Sequence, residues 1–350
     1  MKSFRDERSN KSLVAVLDGA VTPIPPIWFM RQAGRYLPEY RAVRTKAGGF
    51  VELCLNPELA AAVTLQPVQR FGLDAAIIFS DILIAPYALG AKLWFEEGEG
   101  PRLEPVDRRE RFEMLARSLD PKVTGRVYEA IAKVRAELPA NVALIGFCGA
   151  PWTVATYLIA GRGTENQAPA KNLMRGDEEL FGDIIDRLAD VTVDHLIGQI
   201  DAGADVVQIF DTWAGSLSGA DFERWCVAPT VRIVKAVHDA RPEAKVIVFP
   251  KGVPLDDLVR LVDACGAEAV SIDPKTSRND VRSRLGDRCG LQGNLTPETL
   301  LAGGDRLDLE IDQILEDFRG ARHIFNLGHG ILKETPIAHV ERMIARVRGH

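Results

Sequence analysis

The sequence contains few cysteines, and their number and spacing exclude two common kinds of stabilising site. There are five cysteines in 350 residues, and no C-x-x-C pair brings two of them close together. A disulfide framework needs paired cysteines and a structural zinc site needs clustered ones, so neither is expected. We predict five reduced, mostly buried thiols, which is typical of a cytoplasmic protein.

Long apolar runs and an excess of positive charge are also missing. No stretch of about 18 apolar residues occurs, so no transmembrane helix is predicted. The N-terminal MKSFRDERSNKS lacks the apolar centre of a signal peptide, and we expect residues 1–12 to form a loose tail. The net charge of −6 argues against general nucleic-acid binding. An acidic ligand would have to be held by local cations.

The motifs of several enzyme classes are absent as well. No G-x-G-x-x-G follows the first predicted strand, which argues against a dinucleotide cofactor. No G-x-S-x-G elbow is present, so serine hydrolase chemistry is not supported. The sequence has no H-x-H, H-E-x-x-H or H-x-C element, so no metal is predicted, although ligands from distant strands are an open alternative.

What the sequence does contain is a regular alternation of short apolar runs with longer amphipathic segments. The runs that we interpret as strands are 27–30, 75–79, 142–147, 206–210, 246–249, 269–272, 290–292 and 323–327. Continuous apolar runs suit strands buried on both faces, as in a parallel sheet. Eight strand–helix alternations favour a single-domain α/β (β/α)₈ barrel over an open doubly wound sheet, and we assign residues 1–350 to it.

The intervening segments have the features of helices. Asn56 is predicted to cap a helix that starts at Pro57. The segments 178–200, 221–240 and 297–318 show apolar residues at helical spacing. The charged segment 97–109 is predicted to be a long surface loop.

Polar side chains follow most of the predicted strands, and in a barrel these strand ends open onto one face. They are Arg31 and Arg35, Asp81, Tyr157 after the turn GFCGAPWT, Asp211 and Thr212, Lys251, and His329 between two glycines. A guanidinium keeps its charge and fits a carboxylate or phosphate. The convergence of two such groups with a carboxylate, a phenol and an imidazole favours an anion-binding site over a set of solvated side chains.

Several of these residues have a structural interpretation as well. Asp81 lies between two apolar runs, where a carboxylate must be paired or hydrogen-bonded, so a helix cap and a functional role are both open. For Asp211 a cap or a supporting role is favoured. Tyr157 most simply packs with its hydroxyl satisfied, and Lys251 is solvated or binds a ligand. His329 is predicted to donate a hydrogen bond or move a proton.

Two long motifs resemble the signatures of the uroporphyrinogen decarboxylase family. They are PIWFMRQAGRYLPEYR and GFCGAPWTVATYLIAG, and the similarity continues in order through FSDIL, FDTWAG, LQGNL and IFNLGHGILKETP. The resemblance implies a single-domain (β/α)₈ barrel, usually a homodimer, in porphyrin biosynthesis in the cytoplasm. It also implies that the four acetate side chains of uroporphyrinogen III are decarboxylated to methyl groups, giving coproporphyrinogen III, with no cofactor and no metal.

The resemblance also assigns roles to residues. The segment Arg31, Gln32, Ala33, Gly34 and Arg35 matches the family's site for substrate carboxylates, and Asp81 matches the aspartate that contacts the central pyrrole N–H groups. The other matched substrate-binding positions are Phe50, Tyr157, Thr212 and His329. Thr212 stands where many relatives have serine. We expect Arg31, Arg35, Asp81, Tyr157 and His329 to take part in catalysis.

Two alternatives are kept open. A zinc- and cobamide-dependent methyltransferase shares this barrel superfamily, but the H-x-C element of that group is missing here. A non-catalytic tetrapyrrole-binding protein is the other, and the retention of every matched polar residue weighs against it.

Overall fold

The computed structural model describes residues 11–96 and 100–349. Its strands are β1 Ala75–Ile77, β2 Leu93–Glu96, β3 Gly100–Leu103, β4 Ala143–Gly149, β5 Val206–Asp211, β6 Val246–Pro250, β7 Ala269–Ser271, β8 Gly290–Gln292 and β9 His323–Ile324. The α-helices before β5 are α1 Ser12–Leu17, α2 Pro38–Ala47, α3 Phe50–Cys54, α4 Pro57–Phe71, α5 Ile84–Ala88, α6 Arg109–Glu113, α7 Pro121–Glu137, α8 Pro151–Ala160, α9 Ala168–Gly176 and α10 Glu178–Asp201. Those after it are α11 Gly219–Phe222, α12 Ala228–Ala240, α13 Leu255–Cys265, α14 Arg278–Leu285, α15 Pro297–Ala302, α16 Gly304–Asp317 and α17 Ile337–Val347.

Seven of these strands form one parallel sheet in the order β1-β4-β5-β6-β7-β8-β9. Each strand pairs with the next one in the sheet, for example Phe147 with Gln208 and Ser271 with Gln292. Helices connect successive strands, as parallel pairing requires. The carboxyl ends of the strands therefore all lie at the same end of the sheet. We call the surface at this end the strand-end face.

The sheet is curled, because one segment contacts both of its edges. The carbonyl of Ile27 accepts a hydrogen bond from Asp74 N, next to β1, at 3.0 Å. The carbonyl of Pro26 accepts one from Phe325 N, next to β9, at 2.9 Å. The prediction of a strand at 27–30 was wrong, since the segment forms only an isolated parallel bridge between Ile27 and Phe325. A sheet of seven strands is thus observed where eight were predicted.

Two apolar layers lie on the two faces of the sheet. The inner layer is built from alternate strand residues such as Ile145 and Phe249, and it also contains Trp28 and Met30. Helix α1 supplies four buried side chains to this layer, so it packs against the inner face of the sheet. The outer layer packs the sheet against the surrounding helices and is much larger. Burial on both faces explains why the strands have continuous apolar sequences.

Three predictions of local structure were wrong in part. Residues 1–10 lie outside the described residues, but Lys11 is buried in an ion pair with Asp205 and a helix starts at Ser12, so these two residues are not a loose tail. The predicted loop 97–109 contains β3, which pairs with β2 in an antiparallel hairpin, and its residues 97–99 lie outside the described residues. The predicted helix 297–318 is interrupted at Gly303, whose φ of 67° ends α15.

Other predictions are confirmed. The side chain of Asn56 accepts a hydrogen bond from Leu59 N at 3.1 Å, as expected for the cap of α4. The helix predicted at 178–200 is α10, and the segment 221–240 is helical with one π turn. All five cysteines are buried and unpaired. Over residues 11–96 and 100–349, no helix has both the length and the apolar character needed to cross a membrane.

Candidate active site on the strand-end face

Arg31 is held on the strand-end face by its backbone neighbours. Met30 N donates to Asn326 Oδ1 at 3.1 Å, and Met30 O accepts from Ile331 N at 3.0 Å. Arg31 itself has a φ of 62°, a left-handed conformation that is uncommon for a residue with a Cβ atom. Its side chain passes so close to Gly330 that a Cβ atom at that position would lie 2.5 Å from Arg31 Cδ. The glycine after His329 therefore makes room for the arginine.

Asp81 lies beyond the carboxyl end of β1 and is half-buried. Its Oδ1 accepts a hydrogen bond from Leu83 N at 2.8 Å, so part of the carboxylate has the capping role that the sequence allowed. Burial raises the pKa of Asp81, and the Leu83 amide and the charge of Arg31 oppose this rise. Arg31 and Asp81 are thus close enough for their charges to interact.

Tyr157 on α8 belongs to the same group of side chains. Burial raises the pKa of its hydroxyl, a hydrogen bond with Trp213 opposes the rise, and the charges of Asp81 and Arg31 also act on it. A cleft of about 470 Å³ opens beside Tyr157, and Arg102 of the β2–β3 hairpin lines it. The tyrosine connects this cleft to the charged pair.

His329 is packed between two neighbouring loops. A Cβ atom on Gly328 would lie 2.5 Å from Pro274 Cδ, which shows how closely the two loops approach. Burial, together with the positive charges of Lys251 and Arg31, lowers the pKa of His329 to about 4. At neutral pH the imidazole is therefore uncharged and acts as a hydrogen-bonding group rather than as a cation.

Arg35 differs from Arg31 in its surroundings. Its charge acts on the hydroxyl of Tyr40, a buried residue whose ring lies 5.5 Å from that of Phe79. The ring of Phe50 lies 5.6 Å from Phe79 and 4.5 Å from Phe95 of the hairpin. The charge of Arg35 thus reaches Tyr40, which belongs to this group of aromatic rings, whereas the cation that acts on Asp81 is Arg31.

The residues between the two arginines make mainly structural contacts. Gln32 is fully buried, and its Nε2 donates to Ala75 O at 3.1 Å while its own carbonyl accepts from Tyr36 Oη at 2.8 Å. These bonds tie the segment to β1. Ala33 and Gly34 are half-buried, and a Cβ atom on Gly34 would lie 2.9 Å from Arg31 O.

Thr212 is half-buried and follows the last residue of β5. The preceding Asp211 is buried and accepts a hydrogen bond from Thr153 Oγ1 at 2.5 Å. The same hydroxyl oxygen accepts a bond from Trp213 N at 3.1 Å. Asp211 therefore has the supporting role that the sequence favoured, since it orients the residues around Thr212.

The arrangement as a whole suits an anionic organic ligand. Arg31, Lys251 and the neutral His329 can bind carboxylates, while Asp81 has acceptor capacity left for N–H groups. Within the described residues, no group of three or more His, Cys, Asp or Glu side chains is placed to hold a metal ion. The sequence had not indicated that Lys251 lies beside His329, because that proximity depends on loops from three different strands.

The fold and these side chains define a single-domain α/β protein with a group of charged and polar side chains on the strand-end face of a curled parallel sheet. The family model described as uroporphyrinogen decarboxylase (URO-D) matches residues 8–350. The chain belongs to the uroporphyrinogen decarboxylase family.

Similar proteins extend over almost the whole chain. A protein named uroporphyrinogen decarboxylase from Sphingopyxis alaskensis is 51% identical over 344 residues, which cover 97% of this chain and 99% of the relative. One of the same name from Rhizorhabdus wittichii is 49% identical over 342 residues, covering 97% and 98%. Among solved structures, a methyltransferase from Methanosarcina mazei has a TM-score of 0.76 at 22% identity, covering 98% of each chain. At that identity the likeness concerns the fold alone.

Proposed function

We propose that this protein decarboxylates the four acetate side chains of uroporphyrinogen III, giving coproporphyrinogen III and carbon dioxide in porphyrin biosynthesis. The observation that carries the proposal is the grouping of Arg31, Asp81, Tyr157 and His329 on one face. The chain is also about half identical to enzymes named for this reaction, over nearly its full length.

The chemistry requires a place for the electrons of the broken C–C bond. A pyrrole protonated on a ring carbon is a cation, and it takes up the electron pair when the acetate loses carbon dioxide. A second proton then converts the exocyclic methylene into a methyl group, and loss of the first proton from the ring carbon restores the neutral pyrrole. The ring is thus its own electron sink, and the protein has to bind the substrate, stabilise the transient cation and deliver protons.

Asp81 is the group that we assign to the ring cation. Its carboxylate keeps acceptor capacity after binding Leu83 N, so it can receive several pyrrole N–H bonds and hold the macrocycle bent. A preorganised countercharge of this kind contributes on the order of 3–4 kcal/mol to the stabilisation of a transition state. Burial raises the pKa of Asp81, and the Leu83 amide and the charge of Arg31 oppose this rise. We assign the ionised carboxylate to this role.

Arg31 and Arg35 are assigned to the substrate carboxylates. A charge-assisted hydrogen bond contributes roughly 1.5–3 kcal/mol to binding. Arg31 would bind a carboxylate close to Asp81, while Arg35, beside Tyr40, would bind one nearer the aromatic group that includes Phe50. Tyr157, Thr212, His329, Ala33 and Gly34 are the remaining contacts that we propose for the substrate. Gln32, which is fully buried, would support the segment rather than touch the ligand.

Neither His329 nor an arginine is well suited to donate the protons of the reaction. Because the pKa of His329 is about 4, only about one molecule in a thousand carries the imidazolium at neutral pH. This argues against His329 as the main acid and favours a role in hydrogen bonding. Arginine is a poor acid because its pKa lies above about 12.

The architecture and assembly have finer features that we also propose. The hydrogen bonds from segment 26–28 to both edges of the sheet support a barrel closed by this segment as its eighth element. A homodimer and a location in the cytoplasm are supported by the family resemblance. Sedimentation at micromolar concentration distinguishes a dimer from a monomer.

Anaerobic incubation with uroporphyrinogen III, with and without a chelator, tests the function. Coproporphyrinogen formed at the same rate in both samples supports the decarboxylase and a reaction without a metal. Chelator-sensitive methyl transfer would instead support the methyltransferase alternative, and binding without turnover would support a tetrapyrrole carrier. The likeness to the methyltransferase structure concerns the fold alone at 22% identity, so it does not favour the methyltransferase alternative.

A further inference from the structure

Lys251 follows β6 on the strand-end face, and its backbone is fixed on both sides. Its N–H donates to Asp211 O at 3.0 Å, and its carbonyl accepts from Gly215 N at 3.0 Å. A Cβ atom on Gly215 would lie 2.2 Å from Gly252 O, so this approach of the two loops requires glycine. The position of Lys251 is therefore set by β5 as well as by its own strand.

A short series of contacts connects this loop to His329. Gly252 N donates to Asp273 Oδ2 at 2.7 Å, which links the loop after β6 to the loop after β7. The next residue, Pro274, packs against Gly328 so closely that a Cβ atom there would lie 2.5 Å from Pro274 Cδ. His329 is the following residue. These contacts bring Lys251 into the neighbourhood of the imidazole.

Lys251 is half-buried and has no ion-pair partner among the described residues. The nearby Asp273 does not pair with Lys251. Its carboxylate accepts hydrogen bonds from Gly252 N, from Lys275 N at 2.8 Å and from Thr276 Oγ1 at 3.3 Å.

Arg31 adds a second positive charge near His329. Both cations act on the imidazole, so their charges reach the same space. A half-buried ammonium that forms no ion pair favours the binding of an anion, since a carboxylate there would recover the electrostatic energy lost on burial.

We infer that Lys251 is a further substrate-binding residue, which binds one carboxylate of the porphyrinogen next to His329. This inference rests on the proposed function and adds a residue to the site. The ligand is an acetate or propionate arm of the substrate. Because an ammonium is a point charge with rotatable donors, it suits an arm whose orientation changes as the ring is turned between successive decarboxylations.

The test compares Lys251→Gln with wild type in anaerobic turnover of uroporphyrinogen III. We expect KM to rise roughly 10- to 100-fold with kcat little changed, because an interaction made equally in ground and transition states affects KM alone. Lys251→Arg should recover part of the loss. Lys245→Gln is the matched control, since Lys245 lies just before β6, at its other end, where it pairs with Asp18 at 2.6 Å.

The pKa of His329, measured by NMR, is a second readout that is independent of turnover. Removing the positive charge of Lys251 is expected to raise this pKa in Lys251→Gln, whereas Lys245→Gln should leave it unchanged. Thermal unfolding of each variant checks that it is folded, and Lys251→Met replaces Lys251→Gln if the latter is not.

The outcomes separate the inference from the function. An active wild type with unchanged KM and unchanged His329 pKa in Lys251→Gln would overturn the inference and leave the function intact. An inactive wild type would overturn the proposed function, and the inference with it.

Discussion

Asp211 gives a prediction about stability and pH that can be worked out from the structure. Its carboxylate is only 5% exposed and accepts a bond from Thr153 Oγ1. Burial raises its pKa from the usual 3.8 to about 6, and the hydrogen bonds from Thr153 and Cys226 oppose part of that rise. The folded protein therefore keeps the Asp211 proton at pH values where the unfolded chain has lost it.

The size of the effect follows from this difference in pKa. A rise of about two units corresponds to roughly 3 kcal/mol. Because the folded-state pKa is raised, this contribution to stability is complete below the unfolded pKa of 3.8 and is lost as the pH rises through about 6. About 2 kcal/mol of it should disappear between about pH 4.5 and about pH 7.5.

The substitution Asp211→Asn removes this titration. We compare the free energies of unfolding of wild type and variant. The wild-type value minus the variant value should fall by about 2 kcal/mol between about pH 4.5 and about pH 7.5. Urea unfolding followed by tryptophan fluorescence measures both values. Asp312→Asn is the control, since Arg346 lowers the pKa of that half-buried carboxyl below 3.8. Its contribution is therefore complete above the unfolded pKa, and the difference from wild type should stay nearly constant over this pH range. A pH-independent difference for Asp211→Asn would refute the reasoning.

Two further predictions concern the site and the N-terminal segment. In Gly330→Ala the new Cβ atom would lie within 2.9 Å of Arg31 Cγ and Nε, so the guanidinium must move and KM for uroporphyrinogen should rise roughly tenfold; an unchanged KM would contradict the placement of Arg31. In Lys11→Met the buried Asp205 loses its ion pair with Lys11 at 2.6 Å and keeps the one with Arg135 at 2.9 Å. The free energy of unfolding, measured in urea, should therefore fall by about 3 kcal/mol. A loss below about 1 kcal/mol would show that Arg135 alone compensates the charge.

Most of the sheet could be predicted from the sequence because its strands are buried on both faces. The runs at 206–210 and 246–249 match β5 and β6 to within one residue, and even the short run at 290–292 matches β8. Continuous apolar sequence is a local property, so it can be detected without knowing which segments become neighbours.

The segment after the two prolines shows where this approach fails. Ile27 to Met30 has the composition of a strand, but Pro25 and Pro26 have no N–H group to pair with a neighbouring strand. Side chains accept hydrogen bonds from the backbone of this segment, since Ile27 N donates to Asp74 Oδ2 at 2.8 Å and Met30 N donates to Asn326 Oδ1. Pairing of this kind depends on residues far away in the sequence.

The candidate site was likewise predicted only in part from the sequence. The predicted strand ends placed Asp81 and His329 on one face, because a parallel sheet fixes that face. Arg31 follows a segment that is not a strand, and Tyr157 lies within the helix after β4. The different surroundings of Arg35 could not be predicted, since they depend on how the chain turns after Arg31.

The measurement that tests the central claim most directly is the turnover number of Asp81→Asn with uroporphyrinogen III under anaerobic conditions. The amide keeps the bond from Leu83 N but cannot balance the charge of the protonated pyrrole. We expect kcat to fall about 10²- to 10³-fold while circular dichroism and thermal unfolding stay close to wild type, and Asp312→Asn to keep full activity. Near-normal turnover by folded Asp81→Asn would contradict the role of Asp81 as counter-ion.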